Sequence, residues 1–290
     1  MRAAYPDTEG FVVRDGVRLG YEVYGHGEPA ILFLPTWTIV HSRSWKMQVP
    51  FFSRFHRVVT YDGPGNGLSA RVTDPDRYSP SAYVEDAVAV LDACNVGSAV
   101  VIGLSLGAAY GSMLAVRHPK RVVGLVMIGP SIPLTPPSRE RSAIEQNFTA
   151  PLDVNARGWA KYNLAYWHHD YADFTRFFFS QCFNEPHSTK PIEDSVGWAE
   201  GAGAEVLEAE ARSSEPAMGE WRELLASITC PVLVIHGDRD MISPQSRGVE
   251  AARLTAGELL TMKGSGHIPN VRDPVKVNLA IRAFVEEAVS

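Results

Sequence analysis

The sequence is short of cysteine, of clustered positive charge and of long apolar runs, and each shortage removes a class of function. Its three cysteines, Cys94, Cys182 and Cys230, are widely spaced and odd in number. They outline neither a disulfide framework nor a zinc-type pairing. We read them as reduced thiols in a cytoplasmic protein, with no metal role. Lys and Arg number 27 against 33 Asp and Glu, a formal net charge of −6. That balance lacks the basic stripe of a nucleic-acid binder. The longest apolar runs, such as SAVVIGLSLGAAYG (98–111), fall short of the ~18 residues a membrane helix needs. The opening MRAAYPDTEGFVV lacks the apolar core of a signal peptide. No internal repeat or low-complexity tract is evident.

What is present suits a packed domain. Hydrophobic residues make up 45% of the 290, enough for one large domain with room for an insertion. Residues 11–24 read as two strands about a turn at Asp15-Gly16, a hairpin signal. AILFL (30–34) and HRVVTYD (56–62) read as buried strands. Over 81–94 the period changes: Tyr83, Ala87, Val90 and Leu91 share one helical face, with Ser79-Pro80 as the start signal. SAVVIG is a further strand. Leu106, Tyr110, Met113 and Leu114 repeat the helical spacing, and VVGLVMIG (122–129) returns to strand. Strands without alternation, separated by helices, predict a mostly parallel doubly wound α/β sheet of about eight strands.

The alternation stops at Pro130. Residues 131–216 hold no clear strand and many aromatics, among them Trp159, Tyr162, Trp167, Phe174 and Phe178. They read as a helical insertion between two parts of a core domain, 1–130 and 217–290, either a cap over the site or a packed extra layer, and the aromatic load favours a cap lining an apolar pocket. After the insertion PVLVIHG (231–237) and ELLTM (258–262) predict strands. Ser243-Pro244 and Asp273-Pro274 predict helix starts.

One serine stands out. Gly103-Leu104-Ser105-Leu106-Gly107 follows a strand and opens a helix. The pattern G-x-S-x-G is weak alone, but in that context it predicts a sharp turn that raises the serine hydroxyl above the sheet edge. The N–H of Leu106 then points at any oxyanion formed on a bound carbonyl. A serine at its ordinary pKa needs a base, and the base an orienting group. VIHGDRD and MKGSGHIPN leave two late strands at the edge where open parallel sheets bind ligands. Asp240 and His267 therefore fall on neighbouring loops, in the order Ser, Asp, His.

These segments, GLSLG, HGDRDMISP, GSGHIPN and YDGPGNGLS, together resemble the α/β-hydrolase fold family, and in particular its capped serine ester hydrolases. The resemblance runs from about residue 10 to 288. It implies Ser105 as nucleophile, Asp240 as triad acid and His267 as base. Asp238 is the rival acid; the family spacing G-x-x-D-x-x-x-P, here Gly237, Asp240 and Pro244, selects Asp240. Asp238 then fixes the turn through backbone hydrogen bonds. His236, His168 and His169 are read as structural.

The chain departs from the family at one loop. Pro35-Thr36 stands where the family has His-Gly, so Trp37 takes the place of the second oxyanion N–H. Proline lacks an N–H and threonine lacks the freedom of glycine. Trp37 reads equally as pocket wall or core aromatic. Thr38, His41, Leu104 and Trp167 are the residues expected at the substrate. The resulting expectation is a serine hydrolase acting on a carboxylic ester of a small apolar acyl substrate, with no cofactor. C–C hydrolase, lactonase and perhydrolase chemistry on the same triad stay open, as does a ligand receptor without turnover. No nucleic-acid or membrane partner is expected, and a homodimer is allowed for.

Overall fold

The computed structural model describes residues 4–136, 144, 146–214 and 216–288. Strands β1 (Thr8–Arg14) and β2 (Val17–Tyr24) run antiparallel about Asp15 and Gly16. Both turn residues have positive φ, 49° and 78°, as a two-residue turn needs to follow the twist of its strands. Strands β3 (Ala30–Phe33) and β4 (Val58–Tyr61) are buried at every position, which is why their sequences show no alternation. Helix α1 (Pro80–Ala93) starts where Ser79 accepts a hydrogen bond from the Ala82 N–H at 3.2 Å. Strand β5 (Ala99–Leu104) passes through Ser105 into helix α2 (Leu106–Arg117), and β6 (Val122–Ile128) follows.

Between β6 and β7 (Val232–Gly237) the described residues form helices and no strand. These are α3 (Leu164–His169), α4 (Tyr171–Cys182), α5 (Thr189–Ala199), α6 (Ala204–Ala211) and α7 (Met218–Ala226). Residues 137–143, 145 and 215 of the expected insertion lie outside the described residues. Helix α8 (Gln245–Thr255), strand β8 (Glu258–Met262) and helix α9 (Pro274–Ala288) complete the chain. No helix among the described residues is long and apolar enough to cross a membrane.

The eight strands form one sheet in the order β1-β2-β4-β3-β5-β6-β7-β8. The β1–β2 and β2–β4 pairs are antiparallel, and the rest of the sheet is parallel. The expected mostly parallel α/β architecture is therefore present. Its consequence for the site is positional: the loops after β3, β5, β7 and β8 leave the same edge, that of the carboxyl ends of the parallel strands.

The hairpin is tied to the helical layer by charge. Asp86 on α1 is fully buried and takes hydrogen bonds from Arg14 of β1 and, at 3.2 Å, from Arg77. Burial pushes its carboxyl up, and the two guanidinium groups pull it back. Removing Asp86 leaves buried cations without this partner. Asp86→Ala is expected to cost about 3 kcal/mol, seen as a lower urea midpoint with an unchanged slope; an unmoved midpoint contradicts this account of the tie.

Candidate active site

Ser105 has φ 57° and ψ −114°, a conformation side chains rarely adopt. The surrounding chain imposes it. The Ser105 N–H donates to Ile128 O at 2.9 Å, and the Ser131 N–H donates to Ser105 O at 3.2 Å. The flanking glycines permit the bend: a Cβ on Gly103 would lie 2.1 Å from the Gly107 carbonyl oxygen. A Cβ on Gly107 would lie 2.5 Å from the Pro35 carbonyl oxygen. The result is a serine directly before α2, with the Leu106 N–H as that helix's first donor and no intrahelical acceptor for it.

His267 bridges the other two residues. Its Nε2 lies 2.9 Å from Ser105 Oγ and its Nδ1 2.7 Å from Asp240 Oδ2. All three side chains are buried; Ser105 and His267 line the cavity above them, and Asp240 lies behind His267. Asp240 Oδ1 accepts from the N–H groups of Ile242 at 2.8 Å and Ser243 at 2.9 Å. Burial alone would raise the Asp240 carboxyl; the His267 and His236 rings beside it outweigh that and hold it well below the usual carboxylate range. An ionised carboxylate only accepts hydrogen bonds, so His267 Nδ1 carries the ring proton. Nε2 is then left to accept from the Ser105 hydroxyl. Asp238 sits apart and accepts from the Gly264 N–H at 2.6 Å, joining the turn after β7 to that after β8.

A cavity of about 460 Å³ opens above Ser105 and His267. Leu104, Leu106 and Ile268 line it from the sheet side, and Tyr162, Trp167, Phe178 and Phe179 from the segment between β6 and β7. Trp37 belongs to both surfaces. It lines the cavity, and its ring stacks at 6.1 Å on Tyr162 and sits 4.6 Å from Phe178. Trp167 is fully buried, and its indole N–H has no hydrogen-bond partner among the described residues. Charge reaches the wall at Glu210 and Arg247.

Two residues expected at the substrate stand elsewhere. The Thr38 hydroxyl donates to Glu210 Oε2 at 2.7 Å and its carbonyl accepts from Asn66 Nδ2 at 2.8 Å; Thr38 stands behind Glu210 and does not itself line the cavity. His41 accepts from the Arg43 N–H through Nδ1 and packs edge-on against Trp198, capping a short helical turn outside the cavity. Burial lowers its pKa. Leu104 and Trp167 do line the cavity.

Residues 26–280 match the model of the alpha/beta hydrolase family. The chain belongs to that family. It is 24% identical over 276 residues to 3-oxoadipate enol-lactonase 2 of Acinetobacter baylyi, covering 93% of this chain and 94% of the relative. It is 26% identical over 281 residues to a bifunctional esterase/perhydrolase of Acinetobacter calcoaceticus, covering 94% and 97%. A solved hydrolase from Pseudomonas aeruginosa PA01 is similar to it with a TM-score of 0.75 at 25% identity, over 96% of this chain and 98% of that one.

In this α/β hydrolase the site draws on residues that sequence reasoning passed over. His236, read as structural, places Nε2 3.1 Å from Asp240 Oδ2 and 3.0 Å from Ser243 O. Both partners accept, so this nitrogen also carries a proton and Asp240 lies between two imidazoles. The spacing of four between His236 and Asp240 was the available signal. Asp62, first residue of the D-x-x-G-x-G-x-S segment, accepts from Ser42 N–H at 2.7 Å and Leu68 N–H at 2.8 Å, fixing two loops at the sheet edge.

The lowered Asp240 pKa has a stability consequence. A carboxylate whose folded pKa is depressed stabilises the fold above its unfolded value, and loses that contribution as pH falls toward the folded value. Asp240→Asn is thus expected to be less stable than wild type at pH 7, with the difference narrowing below about pH 4. Urea unfolding at pH 7, 4 and 3 checks this; a difference independent of pH would show that the charge contributes nothing.

Proposed function

We propose that this α/β hydrolase cleaves carboxylic esters of small, largely apolar acyl substrates through a covalent acyl-enzyme. The observation that carries the reading is the unbroken hydrogen-bonded line from Ser105 through His267 to Asp240, opening on the 460 Å³ cavity. The Ser105 hydroxyl loses its proton to His267 Nε2 as it attacks the ester carbonyl. Asp240 holds the ring in the tautomer that accepts this proton and stabilises the cation formed. The N–H groups of Leu106 and Trp37 receive the oxyanion. His267 returns the proton to the leaving alcohol, and water then enters by the same route to release the acid.

The segment 131–216 acts in this reading as a cap. Its aromatics exclude water and size the acyl pocket, beside the charged Glu210 and Arg247 of the wall. The similarity to an enol-lactonase supports a neighbouring reading, because a lactone is a cyclic ester and meets the same groups.

The test is hydrolysis of p-nitrophenyl esters from acetate to decanoate. Wild type is expected to turn over short to medium esters with a burst of one nitrophenol per site. Ser105→Ala is expected to lose at least ~10³-fold in kcat, and absence of Ser105-dependent turnover across esters and lactones would contradict the reading. Trp167→Ala is expected to move the chain-length optimum upward, read as the ratio of kcat/KM for octanoate over butyrate; an unchanged ratio would place the acyl chain elsewhere.

A further inference from the structure

The loop that presents the Trp37 N–H lacks the glycine its family uses to shape it. Pro35 fixes φ and has no N–H, and Thr36 is a β-branched residue. Something other than backbone freedom must set its bend. The residue after Trp37 shows what does. The Thr38 N–H and the Thr38 hydroxyl both donate to the same oxygen, Glu210 Oε2, at 3.3 and 2.7 Å. The Thr38 carbonyl accepts from Asn66 Nδ2 at 2.8 Å. On the other side, the Pro35 carbonyl packs against Gly107 closely enough to forbid a Cβ there. The peptide units flanking Trp37 are thus held from both ends, while its ring is held among Tyr162 and Phe178 of the inserted helices.

Glu210 is itself buried and lies on α6, 172 residues along the chain from Thr38. Two donors of one residue converge on a single buried acceptor oxygen, so a single residue of the segment between β6 and β7 can define this loop. We propose that Glu210 is a positioning residue: it anchors Thr38 and thereby holds the Trp37 N–H where the oxyanion forms. The inserted helices then do more than cover the site, since one of them sets part of its geometry. The proposal rests on the ester-hydrolase reading for its catalytic half and on the Thr38 contacts for its structural half, and the two halves have separate readouts.

The experiment compares wild type, Glu210→Ala and Glu210→Gln. Hydrogen–deuterium exchange is followed on the peptide covering 34–40, with β5 and β7 as internal controls for folding. Steady-state hydrolysis of p-nitrophenyl butyrate is followed alongside. Glu210→Ala is expected to speed exchange at 37–40 without altering the control strands, and to lower kcat by about 10- to 100-fold with KM changed less than about threefold. Glu210→Gln keeps an acceptor oxygen for both Thr38 donors and is expected to restore kcat to within about threefold of wild type, with protection restored. Unchanged exchange in Glu210→Ala overturns the anchoring. Faster exchange with unchanged kcat overturns the catalytic half. A Gln variant as impaired as Ala overturns positioning in favour of a role for the charge. Wild type without Ser105-dependent hydrolysis contradicts the ester-hydrolase reading instead, and the anchoring is then decided by exchange alone.

Discussion

The bend at Ser105 is the constraint on which the rest of the site depends. A side chain held at φ 57° costs on the order of 1–3 kcal/mol. The cost persists because β5, β6 and α2 leave the chain no other path between Leu104 and Leu106. The bend does two things at once. It lifts Oγ to within 2.9 Å of His267 Nε2, and it starts α2 immediately afterward so that an unsatisfied helical N–H stands beside the hydroxyl. The close approaches at Gly103 and Gly107 belong to the same device, and the second also seats the loop that carries Trp37.

Around that bend the segment between β6 and β7 reaches the loops of His267, Asp240 and Trp37. The His267 N–H donates to Cys182 O at 3.0 Å, and the Gly266 N–H donates to Glu185 Oε1 at 2.7 Å. Asn184 Nδ2 donates to Arg239 O at 2.6 Å, next to Asp240. The end of α4 and the residues after it therefore touch the loops of His267 and Asp240 together, while α6 reaches the loop of Trp37 through Glu210. These polar ties complement an apolar seam in which Trp37 meets Tyr162, Trp167, Phe174 and Phe178. Aromatic contact supplies area and the hydrogen bonds supply register.

Most of the sheet was legible because its strands are short, apolar and separated by helices with clear starts. The hairpin at Asp15-Gly16, the Ser79 cap and the turn at Ser105 each follow from one or two residues. Ser105, Asp240 and His267 were readable because topology sends the loops after late strands to a common edge. Thr38 and His41 stand outside the cavity lining because the path of a loop after Pro35 depends on what packs on it, and Glu210 is remote in sequence. His236 was undervalued because a histidine at the end of a buried strand looks the same in sequence whether it packs or pairs. Trp37 resisted a choice between wall and core because it is part of both.

In the proposed reaction Ser105 carries the acyl group during turnover. The most direct measurement is to quench a p-nitrophenyl butyrate reaction in acid during the burst and map the protein by peptide mass spectrometry. The prediction is one added butyryl group on the peptide containing Ser105, disappearing as substrate is exhausted. An adduct on another residue such as Cys182, or steady turnover with no adduct at any time, would contradict it.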